Sequence, residues 1–271
     1  MPTIHRFFVS PYSLHGTRII LPEEESHHAL DVLRLKKGSS VVLFDGEGRE
    51  CSATIASIKE GLVSCLLQSS IVNRQSSMTN SMMDSFPIIL AQAVLKREAM
   101  DWVIQKAVEL GVRTIIPMLT QRTVVRPPEN PNRWTRLVMA AGKQSEQPFL
   151  TKVEAVSRFQ DVVARFQDVV APSTVGSTGS PQGSGQAGAS EKDLKMLSLE
   201  RSPCTVKRCL QEGKRIYSRA VLLLGPEGGF VPEEVQMAQS LGFQPVSLGS
   251  QILRAETAAI SLISILKYEF S

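Results

Sequence analysis

The chain has 271 residues, of which 42% are hydrophobic and 21% charged, enough for one large packed domain or two ordinary ones. It contains no 18-residue apolar run and no signal-peptide pattern, so we expect a cytoplasmic protein without a membrane partner. Its four dispersed cysteines form no CxxC pair, which argues against a disulfide framework and a metal site. A net charge of +4 does not by itself indicate a nucleic-acid partner.

Residues 1–70 have the pattern of short strands separated by turns. The strand candidates are His5–Val9, Ser39–Asp45, Ala53–Ile58 and Leu62–Gln68, and the helix candidate is Glu24–Leu35. Many short strands with one helix are typical of a small β-barrel that binds RNA or oligomers. The polar, aperiodic residues 71–85 predict an interdomain linker.

Residues 86–271 predict a second domain in which strands alternate with helices. The predicted strands are Pro87–Val94, Arg113–Leu119, Ala220–Leu224 and Gln244–Leu248. The predicted helices are Arg97–Leu110, Pro131–Gln144, Pro232–Leu241 and Ala255–Phe270. Such alternation favours an α/β fold with a mostly parallel sheet covered on both faces.

The sequence predicts an insertion in this domain at about residues 158–200. The heptapeptide RFQDVVA occurs twice in tandem, at Arg158–Ala164 and Arg165–Ala171. A copy of seven residues can lengthen a helix along the same face, although a duplication without function is the simpler interpretation. Residues 172–190 are rich in Gly, Ser and Pro and predict a disordered surface segment.

Two glycine-containing loops carry the strongest functional signal: LGPEGGF at 224–230 and LGSQILRAET at 248–257. Each follows a predicted strand and precedes a predicted helix, where glycine lets the backbone approach a ligand closely. Two such loops together predict a small-molecule pocket built largely from main chain. A plain strand-to-helix turn explains the first loop, taken alone, equally well.

Arg254 lies at the predicted start of the last helix, where its charge opposes the helix macrodipole. Its position therefore predicts another task for the charge. A surface pair between Arg254 and Glu256 is the alternative.

The combination of LLLGPEGGF with ILRAETA resembles the RsmE family of small-subunit rRNA uridine N3-methyltransferases, members of the SPOUT superfamily. Weaker matches lie at His5–Phe8, His28–Arg34, Phe44–Gly46, Gln105–Gly111 and Pro117–Arg122. The resemblance covers roughly residues 1–155 and 215–271, which leaves the predicted insertion unmatched.

The resemblance implies a SPOUT-type parallel sheet with a C-terminal trefoil knot, preceded by a PUA-like barrel that binds RNA. It also implies a homodimer with the site at the subunit interface, acting on small-subunit rRNA, within the small ribosomal subunit. S-adenosylmethionine is the implied cofactor. The implied cofactor-binding residues are Leu224, Gly225, Glu227, Gly228, Gly229, Leu248, Gly249, Ile252, Leu253 and Thr257.

Methylation at uridine N3 requires loss of a weakly acidic proton from the Watson–Crick edge of an unpaired base. Arg254 is the candidate to stabilise the negative charge that spreads to the flanking carbonyl oxygens. Glu256 is a candidate general base, and a helix cap is its alternative role. The candidate RNA contacts are Arg6, Arg34, Arg122, Arg126 and Lys143, each with ordinary surface solvation as the alternative.

Gln147 departs from the family pattern, in which arginine is usual at this position, whereas Gln144 is kept. This puts one RNA or substrate contact in doubt, and Lys143 is the candidate to compensate. Two other functions stay open. One is a related knotted methyltransferase with another rRNA or tRNA target, and the other is a non-catalytic RNA-binding paralogue, which cofactor binding would distinguish.

Overall fold

The computed structural model describes residues 4–68, 72–73, 86–127, 132–147, 149–167, 192–212 and 217–270. The predicted disordered segment 172–190 and all of the predicted linker 71–85 except residues 72–73 lie outside these described residues. No helix in the described part of the chain is both long enough and apolar enough to cross a membrane.

The N-terminal domain is a six-stranded sheet in the order β1-β3-β4-β5-β2, with β6 beside β4. Its strands are β1 (His5–Phe8), β2 (Arg18–Ile20), β3 (Ser40–Phe44), β4 (Arg49–Lys59), β5 (Leu62–Leu67) and β6 (Val72–Asn73). Alternate residues of these strands point inward and form a core that includes Phe7, Leu43 and Ile55. The prediction of a small β domain is thus confirmed.

Two details of this domain differ from the sequence prediction. The helix expected over Glu24–Leu35 is a short α-helix, α1 (Glu23–His27), which continues as a π-helical turn over His28–Val32. Strand β6 pairs with Arg49 and Glu50, so the sheet extends beyond the predicted domain end at residue 70.

The second domain is built on a parallel sheet of seven strands in the order β10-β8-β7-β12-β11-β13, with β9 beside β8. The strands are β7 (Ile88–Ala93), β8 (Thr114–Leu119), β9 (Lys152–Val153), β10 (Ser157–Arg158), β11 (Lys192–Ser198), β12 (Tyr217–Leu224) and β13 (Gln244–Val246). The helices are α2 (Arg97–Glu109), α3 (Asn132–Gln144), α4 (Phe159–Ala164), α5 (Val206–Glu212), α6 (Pro232–Ser240) and α7 (Ala255–Glu269).

Helices cover both faces of this sheet, as the alternation of patterns predicts. On one face Val103 of α2 and Leu262 of α7 pack over Leu90 and Leu222 in a fully buried core. On the other face Phe159 of α4 and Ala238 of α6 are equally buried. Because successive residues of a strand point to opposite faces, the doubly covered strands read as continuous apolar runs.

The bounds predicted for the insertion, 158–200, are wrong, because elements of the fold lie at both ends of this range. Strand β11 lies between β12 and β13, so Lys192–Ser198 is an interior strand of the sheet. The first RFQDVVA copy forms α4, whose Phe159 and Val163 are fully buried. The helix ends at Ala164 and the next two residues form a turn, so within the described residues the second copy does not lengthen it.

Candidate active site

A cleft of about 1580 Å³ opens where β11 and β12 end and beyond β13. Three loops surround it: residues 198–201, residues 224–230 and residues 248–258, the last of which ends in the first turn of α7. The first turns of α2 and the outer side of α6 complete its walls through Ala99, Trp102 and Gln236. The carboxyl edge of a parallel sheet is the usual place for a ligand crevice, because several strand ends converge there.

The glycine loop 224–230 is held from three sides. The Glu227 carboxylate accepts a hydrogen bond of 3.3 Å from the backbone N–H of Lys96, at the start of α2. Arg122 donates a 2.8 Å hydrogen bond to the carbonyl of Gly228. Beneath the loop, the buried Gln92 amide donates to the carbonyl of Gly225 at 3.3 Å. These contacts fix a loop that contains three glycines.

Glu234 connects this loop with the end of β8. Its side chain is buried, and one carboxylate oxygen accepts a 2.9 Å hydrogen bond from the N–H of Gln121. The other oxygen accepts a 3.1 Å hydrogen bond from the N–H of Val231, at the start of α6. A buried carboxylate next to a helix N-terminus is stabilised by such donors and by the positive end of the macrodipole.

Loop 248–258 supplies the opposite wall. Gly249 has φ of +134°, a conformation that residues with a Cβ rarely adopt, and it lets the chain turn sharply after β13. Ile252 is 60% exposed although it is apolar, and Leu253 is half-buried beside it. Apolar side chains facing an open cleft suit a flat, weakly polar ligand.

The structure brings the predicted cofactor residues together with one exception. All of them line the cleft apart from Gly249, which lines a smaller neighbouring depression with Arg201 and Ser247. Arg254 and Glu256, the predicted catalytic residues, also line the cleft.

Arg254 is the N-cap residue of α7 and is exposed. The surface pair with Glu256, which was the alternative to a functional role, is absent, and within the described residues neither side chain has a hydrogen bond or ion pair. An unpaired cation at the positive end of a helix costs roughly 0.3–1 kcal/mol. The cleft therefore contains a guanidinium and a carboxylate that are both available to a ligand.

Two of the predicted RNA contacts need correction. The Arg6 side chain is 7% exposed and lies against Glu50 and over the Phe44 ring, and it also donates to the carbonyl of Glu146. Lys143 pairs with Glu25 of the N-terminal domain. Both side chains are occupied within the protein, at the contact between the two domains.

The remaining RNA candidates stay predictions. Arg34 and Arg126 are exposed, and neither has an ion pair within the described ranges. Arg122 is exposed as well, but its contact with Gly228 makes it part of the cleft wall. Gln147 lies away from the cleft, where its amide donates to the carbonyl of Glu109 at the end of α2.

Sequence reasoning missed the third loop of the cleft, which includes Leu199, Glu200 and Arg201. Its signal was weak because β11 follows the Gly/Ser-rich segment and contains Asp193 and Lys195. Lys195 is nevertheless buried, and its ammonium group donates to the carbonyl of Leu241. A buried lysine in an interior strand requires such a tertiary partner.

Comparisons with known proteins agree with this architecture. Residues 83–267 match the family model described as the RNA methyltransferase domain, and residues 21–68 match the model for the RNA methyltransferase PUA domain. A crystal structure of ribosomal RNA small subunit methyltransferase E from Neisseria gonorrhoeae, bound to S-adenosyl methionine, superposes with a TM-score of 0.78. It is 25% identical and covers 99% of this chain and 98% of its own.

Two curated relatives carry the same name. Ribosomal RNA small subunit methyltransferase E from Synechocystis is 30% identical over 94% of this chain and 74% of its own length. The protein of that name from Bacillus subtilis is 27% identical over 91% of this chain and 88% of its own. The chain therefore belongs to the RNA methyltransferase family that includes ribosomal RNA small subunit methyltransferase E.

Proposed function

We propose that this protein transfers a methyl group from S-adenosylmethionine to N3 of one uridine in small-subunit (16S) rRNA, in the cytoplasm. The observation that carries the proposal is the cleft itself, in which two glycine loops face an unpaired Arg254. The similarity to ribosomal RNA small subunit methyltransferase E supports the choice of substrate.

The residues of the cleft fit S-adenosylmethionine. Loops 224–230 and 248–258 offer main-chain polar groups, and Ile252 and Leu253 offer apolar surface for an adenine ring. Glu227 is already bonded to Lys96, so we assign it to holding the loop in place. When bound, the cofactor supplies an electrophilic methyl group on a sulfonium.

Arg254 would stabilise the substrate as it loses its N3 proton. Its guanidinium would donate to a uracil carbonyl oxygen, where negative charge collects, and such preorganised donors lower the barrier. Glu256 is two residues further along, half-buried at the cleft. We propose that its carboxylate accepts the N3 proton. The protein must also hold N3 in line with the methyl group, which supplies much of the remaining acceleration.

The target uridine must be unpaired or extruded, because its N3 lies on the edge used for base pairing. We propose that the N-terminal domain holds the surrounding RNA. We also propose that Arg34 of this domain, and Arg122 and Arg126 after β8 of the second domain, contact phosphates of the RNA. Such contacts position the RNA without reading its sequence. The match of residues 21–68 to an RNA methyltransferase PUA domain supports this division of roles.

We propose that the active form is a homodimer. Trp102 on α2 is 40% exposed and Ile265 on α7 is 37% exposed, and these two helices pack together beside the cleft. A second copy would cover this apolar surface. Light scattering after gel filtration tests the assembly: Trp102→Glu should shift a dimeric mass toward the monomer, whereas a monomeric wild type would refute it.

We also infer that the chain between β13 and α7 forms a trefoil knot. Ser247 lies against the loop after β11, since its N–H donates to Cys204 and its carbonyl accepts from Val206. From there the chain returns to pack α7 on α2. An experimental structure whose backbone closes without a knot would refute this inference.

The function is tested with purified protein and methyl-labelled S-adenosylmethionine. Naked small-subunit rRNA, assembled small subunits, large-subunit rRNA and tRNA are offered separately, and the product nucleosides are identified. We expect label in N3-methyluridine from a small-subunit substrate only. Label in another RNA or at another atom would replace the substrate assignment, and a failure to bind S-adenosylmethionine would indicate a non-catalytic RNA-binding protein.

A further inference from the structure

The two domains meet along a short stretch of chain that is bonded to both of them. We call residues 149–153 the junction segment. At its start, Phe149 forms an antiparallel bridge with Glu47, and the N–H of Leu150 donates a 2.9 Å hydrogen bond to the carbonyl of Gly46. At its end, Lys152 and Val153 form β9, which pairs with β8 of the catalytic sheet. Few residues separate its contacts with the N-terminal domain from its contacts with the catalytic sheet, so the segment is too short to let the two domains move far apart.

Leu150 fills a space that two glycines leave open, one from each domain. A Cβ on Gly46 would lie 2.7 Å from Cδ1 of Leu150, and a Cβ on Gly142 of α3 would lie 2.6 Å from its Cδ2. Gly46 also has φ of +75°, which favours glycine there. The Asp45 carboxylate braces this turn by accepting hydrogen bonds from the N–H groups of Glu47 and Arg49. The leucine is thus packed tightly between the domains.

Charged groups add two further ties. Arg6 of β1, which packs with Glu50, donates to the carbonyls of Glu146 and Gln147 just after α3. Lys143 in the last turn of α3 pairs with Glu25 of α1. The side chains of this pair are 21% and 9% exposed, so water screens it little. Both ties run from the N-terminal domain to the end of one helix.

That helix connects the junction with the cleft. Helix α3 packs on α2, where Arg133 pairs with Asp101, and Gln147 donates to Glu109 at the end of α2. The first turns of α2 line the cleft through Ala99 and Trp102. A change in the angle between the domains would therefore move any RNA held by the N-terminal domain relative to the cleft.

We propose that the domain junction is a fixed joint which sets the register of bound RNA against the cleft, with Lys143, Glu25, Arg6 and Leu150 as positioning residues. The inference rests on the proposed RNA substrate. In this proposal Arg6 and Lys143 hold the two domains together and do not contact RNA directly. Gln147 contributes to the joint through its hydrogen bond to the carbonyl of Glu109.

Charge reversal separates positioning from direct RNA contact. Glu25→Lys and Lys143→Glu each place like charges together at the joint, whereas the double variant restores an opposite pair. We expect each single variant to raise the KM for RNA by about tenfold, with the Kd for S-adenosylmethionine unchanged, and the double variant to recover most of the loss. If Lys143 touches RNA directly, Glu25→Lys will not raise KM and the double variant will stay impaired, which overturns the proposal.

A matched control and a measurement without RNA complete the test. Arg18→Glu, on an exposed position of β2, makes the same charge change as Lys143→Glu, and its KM for RNA should rise less than that of Lys143→Glu. Nitroxide labels on the cysteines introduced by Tyr12→Cys and Val124→Cys, both at exposed positions, report the distance between the domains without RNA. Cys204→Ser removes the one native cysteine that is not buried. We expect one narrow distance distribution in the wild type and the double variant, and a broad one in each single variant. A broad distribution in the folded wild type would refute the fixed joint even if the enzyme methylates RNA.

Discussion

Arg122 donates a 2.8 Å hydrogen bond to the carbonyl of Gly228, so the end of β8 is tied directly to the glycine loop that follows β12. The stem of the Arg122 side chain also lies close to Gly228, because a Cβ built on this glycine would be in contact with it. An arginine that the sequence places among RNA contacts is thus a structural part of the proposed cofactor cleft.

The variant Arg122→Ala should weaken S-adenosylmethionine binding. An exposed charge-assisted hydrogen bond contributes about 1 kcal/mol, which corresponds to a Kd roughly fivefold higher by calorimetry. Arg126→Ala is the matched control, because Arg126 is exposed and does not line the cleft. If Arg122 serves RNA alone, the Kd for the cofactor will stay at the wild-type value and only the salt dependence of RNA binding will change.

Arg254→Ala should separate binding from turnover. The Arg254 side chain holds no other residue in place within the described structure, so we expect the Kd for S-adenosylmethionine to be unchanged. Loss of a preorganised donor to a developing oxyanion lowers kcat by about 10²–10³-fold. Single-turnover methylation of small-subunit rRNA measures this, with Arg136→Ala as the control, because Arg136 is exposed, does not line the cleft and is not among the proposed RNA contacts. A kcat equal to that of the wild type would remove Arg254 from the mechanism.

Glu234→Gln should lower the free energy of unfolding, because it removes one of two hydrogen bonds behind the cleft wall. The carboxylate accepts backbone hydrogen bonds on both oxygens, from Gln121 and Val231, and an amide nitrogen cannot accept one of them. A buried donor left without its acceptor costs about 1–3 kcal/mol. Urea unfolding should show a loss of that size, whereas Glu233→Gln, on the exposed side of the same helix, should show almost none. Equal stability of the two variants would contradict the bridging role of Glu234.

Gly249→Ala tests the backbone of the second loop. A Cβ at this position would meet no atom within 4 Å, so the cost comes only from the φ of +134°. Such strain amounts to about 1–3 kcal/mol, or the loop relaxes and loses its shape. We expect lower stability or weaker cofactor binding. Gly16→Ala, at φ of −114° with ordinary contacts, should change neither, and an equally harmless Gly249→Ala would show that the loop does not need this conformation.

Much of the fold could be predicted from the sequence because local patterns and tertiary environment agree. Met100, Val103, Ile104, Ala107 and Val108 repeat at helical spacing, and all of them are buried on one side of α2. Strands β7 and β12 read as apolar runs because both faces of the sheet are covered. Likewise, the two glycine loops lie at the ends of strands and face one cleft.

The errors arose where a tertiary contact overrides the local signal. Strand β11 contains a buried lysine whose partner, the carbonyl of Leu241, is 46 residues away in the sequence. Arg6 and Lys143 are basic, like the residues of an RNA-binding surface, yet their partners are visible only in the folded protein. Glu50 lies in the same sheet as Arg6, and Glu25 lies in the other domain from Lys143. Charge alone does not distinguish a joint within the protein from a surface that binds RNA.

The most direct test of the central claim is nucleoside mass spectrometry of small-subunit rRNA from cells that lack this protein and from cells to which it is returned. We expect N3-methyluridine to be absent without the protein, to be restored by the wild type and to remain absent with Arg254→Ala. An N3-methyluridine content that is the same in all of these cells would contradict the proposed function.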